Sequence, residues 1–266
     1  MARTVASSRT AASARSSSAA RSNITSSRMP IELLDLGVTQ MWDFRTGFDG
    51  TKQTLVVDVL GGGKSDLQFK GTTALSSVFT TGFYQADLEA GNSDYFRSSN
   101  VQLVDNTTAL TLFAWIKLKN INVTRTILSQ WETVGNRRGF SVRVNLSNKI
   151  DLLLSPTGGT LASYETDDTL TDTSAWHFIT AQYDTTNRAK FTIDLTVKAN
   201  TLTSGTDPVG INSGANQIMI GAQIPSSPTN FFDGLIGICG IANTTSMTSV
   251  QIATLYSITN SIGRYV

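Results

Sequence analysis

Few positions in this 266-residue chain combine residue types and spacings that do chemistry. Asp87 and Glu89 stand two apart, which on a strand places both carboxylates on one face. Two such groups can split a glycosidic bond, one as acid and the other as base or nucleophile. A solvated strand face accounts for the pair with less, and is the expectation. His177 is the only histidine. Asp172 and Asp184 flank it in sequence, but no nucleophile pattern accompanies it, so its expected role is packing and hydrogen bonding. Trp131 lies between Gln130 and Glu132 and close to Arg137 and Arg138. With an exposed ring these three residues, Trp131, Arg137 and Arg138, would form a platform for stacking a sugar; a buried ring would carry no such meaning. The glycine triplet 61–63 lacks the Gly-Lys-Ser/Thr ending of a phosphate cradle, and no helix pattern follows it. Cys239 is the single cysteine and sits in the apolar run Leu235–Ile241, where a small buried hydrophobe is expected and no internal disulfide can form.

A second set of residues is organised by charge. Arg3, Arg9, Arg15, Arg21 and Arg28 recur every six or seven residues in a leader, 1–30, that contains no acid and is mostly Ala, Ser and Thr. The rest of the chain holds the other 16 Lys and Arg and all 20 Asp and Glu, so the formal net charge of +1 conceals a basic leader and an acidic body. The leader has too little apolar surface to fold alone. It has no continuous apolar core of a secretory signal, and its composition also fits an organellar transit peptide. Read as an extended arm, it gains shape by lying against a partner, with a shell or capsid protein or a second copy of the chain expected there. Five sparse arginines without lysines or aromatic residues are a thin footprint for nucleic acid. No run of 18 apolar residues occurs, so no membrane-spanning helix is expected.

The elements that must position these residues are strands. Leu110–Leu118 alternates Leu110, Leu112, Ala114, Ile116 and Leu118 with Thr111, Phe113, Trp115 and Lys117. Both sets are largely apolar, as befits a strand covered on both faces. The alternation returns at Gly139–Leu146, Trp176–Tyr183 and Lys190–Asp194, with turn residues between. Residues 31–60 read as further strands with turns, beginning with Ile31–Leu36. Val250, Ala253, Leu255 and Tyr256 fall at helical spacing after Thr248 or Ser249, either able to cap. The last residues, Ser261–Val266, read as an exposed tail. These patterns predict an all-β, two-sheet antiparallel sandwich over 31–266, with an extended arm over 1–30 and one short C-terminal helix.

The order of these pieces resembles the concanavalin A-like jelly roll of laminin-G type. The resemblance runs through Phe113-Ala-Trp115, Ile127-Leu-Ser129, Gly139-Phe140, Trp176-His-Phe-Ile179, Phe191-Thr-Ile-Asp194, Ile220-Gly221 and Phe232-Asp-Gly234, over about residues 40 to 258. Residues 82–96 also resemble the family's hairpin of an apolar strand, a polar turn and an aromatic strand, and the whole implies a fold that hosts lectins, receptors, hydrolases and structural modules. The Glu-x-Asp-x-x-Glu strand motif of its glucanases occurs nowhere in the chain. The resemblance also raises a calcium site at a sandwich edge. The acid that often follows Phe-x-Gly-x-Ile is here Gly237, and the family's Asp-Gly hairpin is Asp194-Leu195. Asp58 and Asp233 are the remaining metal candidates.

With no catalytic constellation, the chain is expected to be non-enzymatic. The leading expectation is an assembly or decoration module of a virion, associated with a capsid or tail and anchored by its arm. The alternative is a carbohydrate-binding, lectin-like adhesion module, extracellular or on a virion surface, contacting a cell-surface glycan.

Overall fold

Alternation along one ten-residue strand gives it two apolar faces, and each face joins a core of its own. The computed structural model describes residues 29–44, 55–56, 58–60, 66–72, 85–101, 103–104, 106–212, 215–243 and 245–266. The arm with Arg3, Arg9, Arg15, Arg21 and Arg28, and the glycine triplet, lie outside the described residues. The described chain opens with helix α1 (Met29–Asp35) and short strands β1 (Gln40–Trp42), β2 (Leu55–Val56), β3 (Leu67–Lys70) and β4 (Ala86–Leu88). β5 (Tyr95–Val101), β6 (Ala109–Leu118), β7 (Arg125–Glu132), β8 (Arg137–Val144), β9 (Ile150–Leu154) and β10 (Ala162–Thr166) follow. Then come β11 (His177–Asp184), β12 (Arg188–Ile193), β13 (Thr196–Lys198), β14 (Asn200–Ser204), β15 (Asn216–Ile220), β16 (Gly234–Ala242) and helix α2 (Ser249–Gly263).

The strands form two antiparallel sheets. One has seven strands in the order β1-β16-β6-β11-β12-β13, with β4 also paired to β16; the other has nine, β14-β10-β9-β8-β7-β15-β5-β3-β2. The predicted two-sheet sandwich is what forms. Between the sheets lies the main core. Leu110, Leu112, Ala114, Ile116 and Leu118 of β6 meet Phe140, Val142, Ile150, Leu152 and Leu154 of β8 and β9 there. The other set of β6, Phe113 and Trp115, joins a second core on the far side of the seven-stranded sheet, with Phe178, Ile238 and residues of both helices. Two apolar faces on one strand therefore correspond to two separate cores.

Three local expectations change. Residues 31–35 lie within helix α1 and Leu36 in the turn that follows, not in a strand. Leu33 and Leu36, three apart, are buried while Ile31 and Leu34 are more than half exposed, which is helical spacing; Pro30 fits the first turn. The described part of 82–96, residues 85–96, forms no hairpin, because β4 pairs with β16 in one sheet and β5 with β3 and β15 in the other. A 3-10 turn at Ala90–Asn92 and the left-handed Ser93 carry the chain between layers. The tail is not exposed throughout. The helix runs to Gly263, and Tyr265, 7% exposed, accepts a hydrogen bond at its hydroxyl from the Ile238 amide (2.7 Å). Thr248 caps this helix in a reciprocal box with Gln251.

The β12–β13 turn carries a strain that sequence alone flagged only as a departure. Asp194 and Leu195 both hold positive φ, 48° and 65°. The Leu195 side chain is 45% exposed, so it recovers little burial for this left-handed backbone. Leu195→Gly is expected to stabilise the fold by about 0.5–1 kcal/mol, read by chemical denaturation; an unchanged or lower stability would show that the turn is not strained.

Candidate functional site

Period two along three neighbouring strands builds a groove that combines an apolar floor with unpaired charge. In β4, Ala86 and Leu88 enter the main core and Asp87 faces outward; in β16 Ile236 is inside and Leu235 outward; in β6 Ile116 and Leu118 are inside and Lys117 outward. The register aligns Asp87, Leu235 and Lys117 in a single row across the sheet. Beyond this row, α2 and Tyr265 cover the sheet, and Gly237 leaves room for the Tyr265 ring, which a Cβ there would approach to 2.5 Å. The row itself stays open as the floor of a groove of about 300 Å³, whose lining Lys119, Thr173 and Gly234 help complete. Trp176, half-buried and packed on Tyr265 at 4.7 Å, stands one residue past the last paired position of β11, next in line after Lys117.

The charges of the groove are unevenly satisfied. Lys119 pairs with the Glu89 carboxylate in an exposed ion pair, which is worth little in stability. Asp233 Oδ2 accepts from Asn120 Nδ2 (2.5 Å) and Arg125 Nη2 (3.4 Å). Asp87 and Lys117 make no hydrogen bond or ion pair with any described residue, although only Leu235 separates them in the row. Partial burial and the neighbouring Glu89 carboxylate hold the Asp87 carboxyl above the usual carboxylate range. An apolar floor between an unpaired acceptor and an unpaired donor has the chemistry to take a small amphipathic ring.

Asp87 and Glu89, read from sequence as a solvated face, thus part company: Glu89 is engaged by Lys119 and Asp87 is not. Lys117 was missed. Its signal was present, as the one charged member of an otherwise covered set, Phe113, Trp115 and Lys117.

The sequence-predicted glycan contact takes a different form. Trp131 is only 5% exposed, and the Arg138 guanidinium lies over its ring, 5.9 Å from the centroid. Arg138 Nη1 also donates to the Gly159 carbonyl, and Arg137 Nε to the Val134 carbonyl (3.2 Å). Structural contacts occupy all three residues, and the Trp131 ring is not an open platform. On the outer side of the same sheet, Arg143 binds Asp151 Oδ2 through Nε (2.7 Å) and Nη2 (2.6 Å), and Ser163 holds the other carboxylate oxygen (2.8 Å). That network ties β8, β9 and β10 together.

His177 is a clip. Its Nδ1 shares a hydrogen bond with Asp194 Oδ2 (2.7 Å), and Asp194 Oδ1 accepts from the Phe178 amide (2.9 Å). Nε2 lies 3.8 Å from Asp172 Oδ2. The hydrogen bond to Asp194 raises the histidine pKa above its ordinary value, against the effect of burial. A raised folded-state pKa adds stability that is complete below the unfolded value, near 6.5, and disappears as pH rises through the folded value. The wild type is therefore expected to lose stability relative to His177→Gln as pH rises above about 6.5; parallel melting curves for the two proteins across that range would refute the coupling.

Both metal candidates have one carboxylate oxygen engaged within the fold. Asp58 Oδ1 already accepts from the Met41 and Leu60 amides (3.1 and 3.2 Å), and Asp233 is held by Asn120 and Arg125. No three acidic, histidine or cysteine side chains converge among the described residues.

The fold and groove describe a β-sandwich of the lectin type. The chain matches the Laminin_G_3 family, described as the concanavalin A-like lectin/glucanases superfamily, over residues 90–252, and belongs to it. Solved structures share the fold. The receptor-binding domain of botulinum neurotoxin D superposes with a TM-score of 0.57 at 14% identity, over 84% of this chain and 53% of the other. The botulinum neurotoxin serotype D ligand-binding domain in complex with N-acetylneuraminic acid gives 0.55 at 14%, over 84% and 51%. A carbohydrate-binding module (CBM40) of a Ruminococcus gnavus sialidase gives 0.46 at 14%, over 59% of this chain and 97% of the module. The chain spans about half the length of the neurotoxin domains it matches. No curated protein matches it.

Proposed function

We propose that this chain is a non-catalytic carbohydrate-binding module, seating a sugar ring in the groove between Asp87 and Lys117. The observation that carries the reading is the row Asp87–Leu235–Lys117, an apolar patch with an unpaired carboxylate on one side and an unpaired ammonium on the other, in about 300 Å³ of open space. A pyranose has the matching chemistry: an apolar ring face for Leu235, and hydroxyls that both donate to Asp87 and accept from Lys117. The family description names lectins, and one structural neighbour carries a bound sugar acid. None of the neighbours described above is named for a shell or capsid, which favours this reading over the virion-assembly one. A binding role at an extracellular or virion surface suits it, with the basic arm as a tether to a larger assembly.

A glycan array probed with the full chain, with and without calcium, tests the reading. Binding is expected, and Asp87→Asn is expected to weaken it about tenfold or more by removing a charged acceptor. A blank array under both conditions would overturn the proposal, and so would binding that Asp87→Asn leaves intact.

A further inference from the structure

We infer that the groove selects a saccharide bearing a carboxylate, oriented with that carboxylate on Lys117 and its ring hydroxyls on Asp87. The inference rests on the reading of this groove as a glycan site and adds the charge and direction of the ligand. It follows from where the unpaired charges stand. Two ladder spacings separate the Asp87 and Lys117 backbones, about 10 Å, with Leu235 between them. The Asp87 end is the more acidic one: Glu89, Asp233 and Asp94 gather around the Asp87 carboxyl, and Lys119, itself paired with Glu89, is the one cation that opposes them there. A ligand carboxylate is repelled from that end.

Two lysines, Lys117 of β6 and Lys119 just past its end, line the groove in different states. Lys119 is already neutralised by Glu89. Lys117 has no carboxylate partner, and its neighbours on the same face of β6, Phe113 and Trp115, are buried and apolar. An ammonium set at the edge of an apolar face, without its own counter-ion, is a donor for an incoming anion. A neutral sugar would offer it a hydroxyl acceptor but leave its charge uncompensated; a sugar acid neutralises it. The groove volume of about 300 Å³ accommodates one acidic ring with its substituents.

The test uses the full chain and paired ligands, measured by titration calorimetry at low salt: the methyl glycosides of glucuronic acid and of N-acetylneuraminic acid, each against its own methyl ester. In the wild type at least one acid is expected to bind about tenfold more tightly than its ester, a preference that shrinks as salt screens the pair. Lys117→Gln is expected to reduce the preference to below about twofold, with a thermal melt alongside to establish that the variant is folded. Equal affinity of the wild type for acid and ester, or a preference that survives in folded Lys117→Gln, would overturn the inference while leaving glycan binding at the groove intact. Failure of every saccharide on both the array and the calorimeter would instead remove the underlying reading.

Discussion

Trp115→Ala is expected to lower the stability of the domain by about 3–5 kcal/mol, the range for removing a large aromatic residue from a packed core. The indole is fully buried on the outer side of the seven-stranded sheet. It stacks on Tyr265 at 4.7 Å, and meets Tyr256 at 5.0 Å and Phe178 at 5.2 Å. Its Nε1 donates to Thr259 Oγ1 (2.8 Å), so truncation also removes the hydrogen bond that joins sheet to helix. The loss concentrates on the docking of α2, which supplies Tyr256, Thr259 and the turn before Tyr265. Chemical denaturation gives the magnitude. A loss below about 1 kcal/mol would mean that the helix is held mainly by other contacts, such as Ile252, Leu255 and Ile262.

The second large effect is expected at Gly234. Its φ is +140°, and a Cβ built there would fall 2.3 Å from the Lys117 carbonyl oxygen and 3.0 Å from the Lys119 amide nitrogen. Both are backbone atoms of the neighbouring strand, so no side-chain rotation can relieve the contact. Gly234 is also the residue at which β16 pairs simultaneously with Leu118 of β6 and Leu88 of β4. Gly234→Ala is therefore expected to cost about 2–3 kcal/mol through backbone strain and lost pairing. Because the displaced strand carries Lys117, glycan binding is expected to fail even at temperatures where the variant remains folded. Wild-type stability in Gly234→Ala would show that the ladder can shift at this point, and would weaken the account of the groove as a preformed site.

The cost of both substitutions falls on residues that the family resemblance already contained, Trp115 in Phe113-Ala-Trp115 and Gly234 in Phe232-Asp-Gly234. Sequence pattern reached the core because alternation is a local property. Side chains two apart share a face whatever lies opposite, and an apolar set on each face requires a cover on each side. For the same reason Cys239 was legible as a core residue, now seen fully buried with its thiol pKa pushed well up by burial. Helix α1 was misread because four apolar residues in six fit period two and period 3.6 alike, and only the contacts of Leu33 and Leu36 decide between them. Trp131 looked like a binding residue because burial is not written in the residue type. The same Trp could have lain open had Arg138 turned away from it.

By itself the sequence determined that the chain is an all-β sandwich of laminin-G type, that His177 and Cys239 serve structure, and that no glucanase motif is present. The tertiary structure alone decided which charges meet. Asp87, Leu235 and Lys117 come from three strands distant in the chain, and their alignment is a matter of register between β4, β16 and β6. A shift of one residue in either ladder would turn one of these side chains into the core. Charge pairing depends on that register, on which neighbour neutralises Lys119 and leaves Lys117 without a partner, and on where α2 ends and leaves the sheet uncovered. Those are long-range geometric facts, fixed only when both sheets and the closing helix are packed together.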